Sequence, residues 1–328
     1  MYSHKRTLND KFTMTTRKIS LPTSAVIDAI HMRFYGTLEN SSETTDAEIA
    51  LSDLLAKFTE IRVVSNENTV HYSLRGTDIA ILNWHDTAGT SEDLDGDKIT
   101  VTKAKTAAFS FVLSLDRGDI LALTKQSVDL SYEVDPTVTE DVKITALTGI
   151  VTIEENVYDS PAEFQAVYGA HLEAAAEPKI ISMEKTFAAA DDLIEVLDLP
   201  QGTLNRRATL IFMDANGVRA GALPNAIGLI HASPDRRELY KVEFSTAQTL
   251  NRRTYRTPAA VDGVAVIDYG SEITGDAYGI KGWHIAKNEY KIGVRAAAPG
   301  RLRYISEEYV VNTAAFDANQ RAILEATE

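Results

Sequence analysis

Residues Ile61–Trp84, IRVVSNENTVHYSLRGTDIAILNW, constrain the fold of this chain more than any other stretch. A segment built the same way returns at Ile227–Arg253, IGLIHASPDRRELYKVEFSTAQTLNRR. The first copy reads as strand, turn, strand and short helix. Val70, Tyr72 and Leu74 alternate with His71, Ser73 and Arg75, which puts the apolar side chains on one face of a half-buried strand. Asn66-Glu67-Asn68 supplies the turn, and Thr77 is the expected N-cap of a helix ending in Leu82-Asn83. In the second copy Tyr240, Val242 and Phe244 alternate, Ser245-Thr246 is the expected cap, and Leu250-Asn251 closes. Two such cassettes, about 168 residues apart in the numbering, point to one fold laid down twice.

The flanking segments repeat in the same order. Leu21-Pro22-Thr23-Ser24 leads into a strand over Ala25–Tyr35, expected to end at a Gly36 turn. Leu199-Pro200-Gln201-Gly202 leads toward Ala208–Met213, closed by Asp214-Ala215-Asn216-Gly217. Late in the first half, Phe109, Phe111, Leu113 and Leu115 alternate, and then Val128, Leu130, Tyr132 and Val134 alternate with polar residues, a strand wet on one side. Strand material over Val142–Ile153 finishes as GIVTIEENV, Gly149–Val157. Its counterpart is GRLRYISEEYV, Gly300–Val310, preceded by strands at Val264–Tyr269 and at Tyr290, Ile292 and Val294. The spacing of Ile49, Leu51, Leu54, Leu55 and Phe58 predicts a helix over Thr45–Lys57. Ser160 caps a further predicted helix, with Pro161 in its first turn, running to about Ala176. Asn312 or Thr313 caps a last one through Glu328.

Many short strands with close turns and no βαβ rhythm indicate antiparallel sandwiches. The expected fold is all-β: two tandem eight-stranded jelly-roll sandwiches, a double jelly roll, with a few short helices. The expected division is a basic N-terminal arm at 1–18, a first jelly roll at 19–159, a helical connector at 160–190, a second jelly roll at 191–311 and a C-terminal helix at 312–328.

Composition excludes several functions. The 328 residues include no cysteine, which removes disulfides, thiolate catalysis and Cys-based metal centres. A net charge of −14 argues against a general nucleic-acid binder, because phosphate neutralisation needs a basic surface. Residues 1–18 run against that balance: Lys5, Arg6, Lys11, Arg17 and Lys18 face Asp10 alone. That stretch is expected to be a flexible arm that either meets an anionic partner or merely keeps the chain in solution. No run reaches about 18 apolar residues and the first residues carry no apolar signal core, so the expectation is a soluble chain without the usual export signal.

No catalytic, cofactor-binding or metal site is assigned. G-x-S-x-G, H-E-x-x-H, P-loop and strand-following G-x-G-x-x-G patterns are missing. His4, His31, His71, His85, His171, His231 and His284 show no metal spacing. His85-Asp86, beside Trp84, is the one fragment with an active-site look, and loop residues of that kind are common without catalysis. Asp93, Asp95 and Asp97 flank Gly96 as in the start of a calcium loop, but the distal glutamate that such a loop needs is absent from Thr100–Lys105, which favours a solvated acidic loop. Asn40-Ser41-Ser42 is a formal glycosylation sequon without a preceding export signal. Trp283 is read as either an exposed loop aromatic or a buried anchor.

With duplication, strand order and empty chemistry in hand, the chain resembles the double jelly-roll major capsid proteins of tailless icosahedral viruses that enclose a membrane. The residues that carry the resemblance are LPTSAVIDAI, VVSNENTVHYSLRGTDIAILN, LPQGTLNRRATLIFMDANGVRAGALPNAI, and GVAVIDYG with RLRYISEEYV, together spanning most of residues 19–311. The resemblance implies a non-enzymatic structural protein, two upright rolls per subunit, and homotrimers forming pseudo-hexameric capsomers of a bacteriophage virion made in the host cytoplasm. Its implied partners are like copies, neighbouring capsomers, minor capsid proteins and an internal viral membrane met by the basic arm. The helices at 45–57 and 312–328 fall outside the likeness. The alternative is a carbohydrate-binding or carbohydrate-processing double β-sandwich protein, which needs paired carboxylates and aromatic platforms; with two tryptophans the chain is poor in the latter.

Overall fold

The computed structural model describes residues 2–168, 177–232, 235–269, 276–277, 280–281, 283–284 and 290–310. A first sandwich contains β1 (Tyr2–Thr13), β2 (Lys18–Leu21), β3 (Val26–Asn40), β4 (Phe58–Ser65), β5 (Thr69–Leu74), β6 (Thr106–Leu115), β7 (Val128–Val134) and β8 (Val142–Val157). The second contains β9 (Glu177–Phe187), β10 (Ala190–Asp198), β11 (Leu204–Met213), β12 (Pro224–His231), β13 (Arg237–Glu243), β14 (Val264–Asp268), β15 (Tyr290–Ala296) and β16 (Gly300–Val310). The helices are α1 (Leu51–Leu55), α2 (Gly76–Asp86), α3 (Pro161–Tyr168) and α4 (Phe244–Tyr255).

The two sandwiches share one topology. In the first, the sheets run β1, β8, β3, β6 and β2, β7, β4, β5; in the second, β9, β16, β11, β14 and β10, β15, β12, β13. Each strand of the second set therefore stands where the strand eight earlier stands in the first. α2 follows β5 and α4 follows β13, so the cassettes read from the sequence are equivalent elements. The irregularities match as well. Between β4 and β5 the register skips His71, and between β12 and β13 it skips Leu239, 168 residues on. Between β3 and β8 it skips Asp28, and between β11 and β16 it skips Arg206. A bulge re-aims a strand locally, and shared bulges fix which residue answers to which.

Each sandwich encloses its own aromatic core. Phe34 lies 4.8 Å from Phe58 and Phe12 4.8 Å from Tyr132 between ring centroids in the first; Phe212 lies 5.3 Å from Phe244 in the second. The alternating Val128, Leu130, Tyr132 and Val134 all point inward, as their spacing requires.

Several expectations are corrected. The basic stretch is no free arm: Tyr2–Thr13 is an edge strand paired with β8, so the first sandwich begins at Tyr2. Its side chains are mostly exposed, which erased the alternation, and its polar side chains meet glutamates of β8, with Arg6 at 2.8 Å and His4 at 3.3 Å from Glu155. Gly36 closes no turn but lies within β3, where a side chain would strike the Ala146 backbone and the Phe109 ring. The predicted helix at 45–57 divides into a strand, Ala47–Ala50, paired with Lys98–Val101, and the short α1; Ile49, Leu51, Leu54 and Leu55 are all buried, but on two elements. α2 starts at Gly76 rather than after Thr77, because the Asp78 carboxylate accepts the Arg75 backbone N–H at 3.1 Å. α4 starts at Phe244, ahead of the expected Ser245-Thr246 cap, and runs on to Tyr255. Of the helical connector at 160–190, α3 covers Pro161–Tyr168, while Glu177–Phe187 is β9 of the second sandwich. The remainder of that helix toward Ala176 and the C-terminal helix at 312–328 lie outside the described residues.

Candidate functional site

Among the described residues the most elaborate polar constellation lies where the two sandwiches meet. β5 and β9 pair in parallel, Tyr72 opposite Ile180 and Ser73 opposite Ile181, which joins one four-stranded sheet of each sandwich, together with the short strand Trp283–His284 beside β11, into a nine-stranded sheet. Above this seam α2, packed on β4 and β6 of its own roll, turns Asp78 and Asp86 to arginines of β16 and β11. Its sequence, GTDIAILNWHD, is apolar on most sides, and Ile81, Leu82 and Trp84 belong to the same buried cluster as Ile211, Met213, Val264 and Ile305 of the second sandwich. A helix enclosed on all sides can carry no solvent face.

Charges are buried with it. Glu307 of β16 accepts hydrogen bonds from Arg117 Nη1 at 2.6 Å, from Arg207 Nε at 2.6 Å and from Arg207 Nη2 at 3.0 Å. Arg207 Nη2 also reaches Asp86 at 3.2 Å; Arg117 pairs with Asp86 and donates to the Leu82 carbonyl at 3.0 Å. Arg303 Nη1 meets the fully buried Asp78 at 3.1 Å, and Glu184 binds Arg75 at 3.3 Å. Two acidic positions of α2 are thus matched by arginines from β11 and β16. Removing charges from water is costly, so such a network fixes one relative placement of its parts more than it adds net stability.

Two histidines are held neutral here. Burial pushes His85 down to about 4, with Arg207 acting in the same sense, while its Nδ1–H donates to the Ile81 carbonyl at 2.9 Å. Burial likewise lowers His71. Its Nδ1–H donates across the seam to Pro178 O at 3.3 Å, which leaves Nε2 to accept from Ser65 Oγ at 2.8 Å. The Tyr255 ring lies under the Arg207 guanidinium, 5.3 Å from its centroid, and burial pushes its phenol up to about 12.

His85-Asp86 therefore belongs to a structural seam, with His85 Nδ1 and both Asp86 carboxylate oxygens committed to protein partners. The acidic loop is also internally used. Asp93 Oδ1 accepts the N–H groups of Asp95 and Gly96 at 3.0 Å, Asp97 accepts that of Asp93 at 3.1 Å, and Asp95 pairs with Arg219. Among the described residues no group of three or more His, Asp or Glu is placed to hold a metal. Asn40 of the sequon is buried, its amide donating to Thr45 O and Val101 O at 3.0 and 3.1 Å, which leaves no room for a glycan. The side chain of Trp283 lies outside the described residues.

The network residues Arg117, Arg207, Arg303 and Glu307 were not picked out from the sequence. One signal was available: Glu307-Glu308 puts two carboxylates into a strand buried from Leu302 to Tyr309, and Glu154-Glu155 recurs at the same register of β8.

No protein-family model matches the chain, and no curated protein matches it in sequence. Solved structures do. The crystal structure of the STIV MCP superposes with a TM-score of 0.83 at 18% identity, over 95% of this chain and 98% of that one. The chain is a double jelly roll. The atomic structure of Sulfolobus Turreted Icosahedral Virus gives the same TM-score of 0.83 at 19% identity, over 99% of this double jelly roll and 96% of the other chain. PBCV-1 VP54, fitted into a reconstruction of the virophage Sputnik, gives 0.60 at 8% identity over 94% and 93%. At these identities the shared object is the fold, and the double jelly roll here reaches it with its own side chains.

Proposed function

We propose that this chain is a major capsid protein, a non-enzymatic building block whose homotrimers present six rolls as a pseudo-hexameric tile of an icosahedral virion. The observation that carries the reading is the full-length likeness to the STIV MCP, with a TM-score of 0.83 and near-complete coverage of both chains. The seam gives it a physical basis: a tile must keep its outline under lateral load, and the buried ionic network holds the two rolls in one placement. Its partners are like copies, neighbouring capsomers and minor capsid proteins, and its location is the virion after synthesis in the host cytoplasm. With Arg6 and Lys18 paired to Glu155 and Asp129, contact with an internal anionic membrane falls to the exposed Lys11 and Arg17.

Mass in solution tests the proposal. A species of about 108 kDa, three times the 36.0 kDa chain, with a hexagonal outline in electron micrographs, is expected. A monomer at high concentration, or a reproducible hit on a glycan array or hydrolase screen, would turn the reading toward the carbohydrate alternative. Lys11→Glu with Arg17→Glu is expected to weaken binding to phosphatidylglycerol vesicles, and unchanged binding would remove the membrane contact.

A further inference from the structure

The matched bulges make it possible to ask what stands, elsewhere on the molecule, at the positions equivalent to the seam. On one side of the seam are His71 of β5 and Leu82 of α2; the second roll has Leu239 and Leu250 there. On the other side are Met213 of β11 and Val264 of β14; the first roll has Tyr35 and Val112 at the same registers. The four seam residues are buried, whereas Leu239, Leu250, Tyr35 and Val112 are exposed by 51%, 45%, 37% and 39%. Half of the large exposed apolar side chains of the described residues thus fall on the two free counterparts of one buried contact.

The backbone edges agree. The outer edge of β5 takes β9, but among the described residues no strand pairs with the outer edge of β13 or of β1. An open edge bearing apolar side chains is a template for another strand. Charge agrees too. The acidic α2 meets arginines; α4 carries Arg252 and Arg253 and no carboxylate, and the face it would meet has Asp28 in the place of Arg206, together with Glu154, which Lys5 and His31 already engage, and the exposed Arg33.

We propose that β13 and α4 of one copy dock on β1 and the outer face of β3, β6 and β8 of a second copy, repeating between chains the contact that β5 and α2 make within one. In this register Tyr240 lies opposite Lys5, Lys241 opposite Arg6, and Leu239 beside Ser3, the counterpart of Pro178. Lys241 and Arg6 do not repel outright, since each has its own carboxylate, Glu238 at 3.3 Å and Glu155 at 2.8 Å. The inference rests on the self-assembling reading above and specifies which surfaces carry it. Repeated head to tail, the contact is heterologous and closes only if the rotation per copy allows it.

The chain has no cysteine, so introduced thiols report proximity without interference. In the full-length Ser3→Cys/Leu239→Cys variant a short bis-maleimide is expected to join copies covalently into species of two and three chains. Either single variant, or Ser3→Cys paired with a cysteine at the exposed Val218, is expected to give none. Tyr35→Asp with Val112→Asp is expected to drop the mass from about 108 kDa to the 36.0 kDa monomer while circular dichroism keeps the native strand signal. A parent trimer that survives these substitutions and gives no 3/239 cross-link overturns this contact and leaves the capsid reading standing. A monomeric parent overturns both, and a cross-linked ladder beyond three chains supports the contact while removing ring closure at three.

Discussion

α2 and α4 occupy the same place in their rolls, yet one is written as an interior and the other as a surface. Of the residues of α2, Gly76, Asp78 and every position from Ile79 to His85 are buried, whereas α4 buries Phe244, Ala247 and Asn251. The sheets beneath differ in the same way: the outer face of the second roll shows Ile211, Met213 and Val264 to α2, and the same registers of the first roll show Arg33, Tyr35 and Val112 to solvent. Two copies of one plan have thus diverged according to what covers them. Composition on the outer face of a roll reports its neighbour, while the inner alternation reports only the fold.

The sharpest way to break that comparison is to remove the same charge from both rolls. Glu307→Ala leaves Arg117 and Arg207 buried without a carboxylate between them and is expected to cost about 3–5 kcal/mol. The equivalent Glu154→Ala, at a part-exposed site shared with Lys5 and His31, is expected to cost under about 1 kcal/mol. Equal losses in urea unfolding would show that the seam is no more than a surface. Next in size is the helix pair: Leu82→Ala is expected to cost roughly 2–4 kcal/mol and Leu250→Ala within about 0.5 kcal/mol, both for the single chain.

Titration separates the buried seam from the open face of the first roll as well. His85 is neutral in the fold, its pKa pushed from 6.5 to about 4, so its contribution is complete above pH 6.5 and lost as pH falls toward 4. The loss amounts to about 3 kcal/mol at most, and His85→Gln should remove that part of the pH dependence. Asp28 behaves oppositely. Burial, aided by the Asp119 carboxyl, raises it from 3.8 to about 6, so the protonated form suits the fold and stability falls as pH rises through 6. Asp28→Asn is therefore expected to gain about 1 kcal/mol at pH 7.5, after allowance for solvent screening, and little at pH 4. A fluorescence-monitored unfolding series across pH would check both signs.

How much of this was legible beforehand follows from where the information sits. Alternation within a strand is local, so Val128 to Val134 and Gly300 to Val310 could be placed from their own residues, and the Leu-Pro lead-ins marked both third strands. β1 was missed because an edge strand with both faces wet has no period to read. The bulges at His71 and Asp28 were invisible because one skipped residue alters pairing without altering composition. The seam was beyond reach for a different reason: Arg117 and Glu307 lie 190 positions apart, and nothing near either residue signals the other. Their neighbours offered only the oddity of paired glutamates in strands otherwise made for a core.

The parallel pairing of β5 with β9 makes the covalent link between the rolls nearly redundant. Hydrolysis of the chain between Tyr168 and Glu177 would sever the polypeptide without parting its halves, since the shared sheet and the arginine-carboxylate lattice would still clasp them. A nicked molecule should migrate as one body in native conditions and as two fragments only after denaturation.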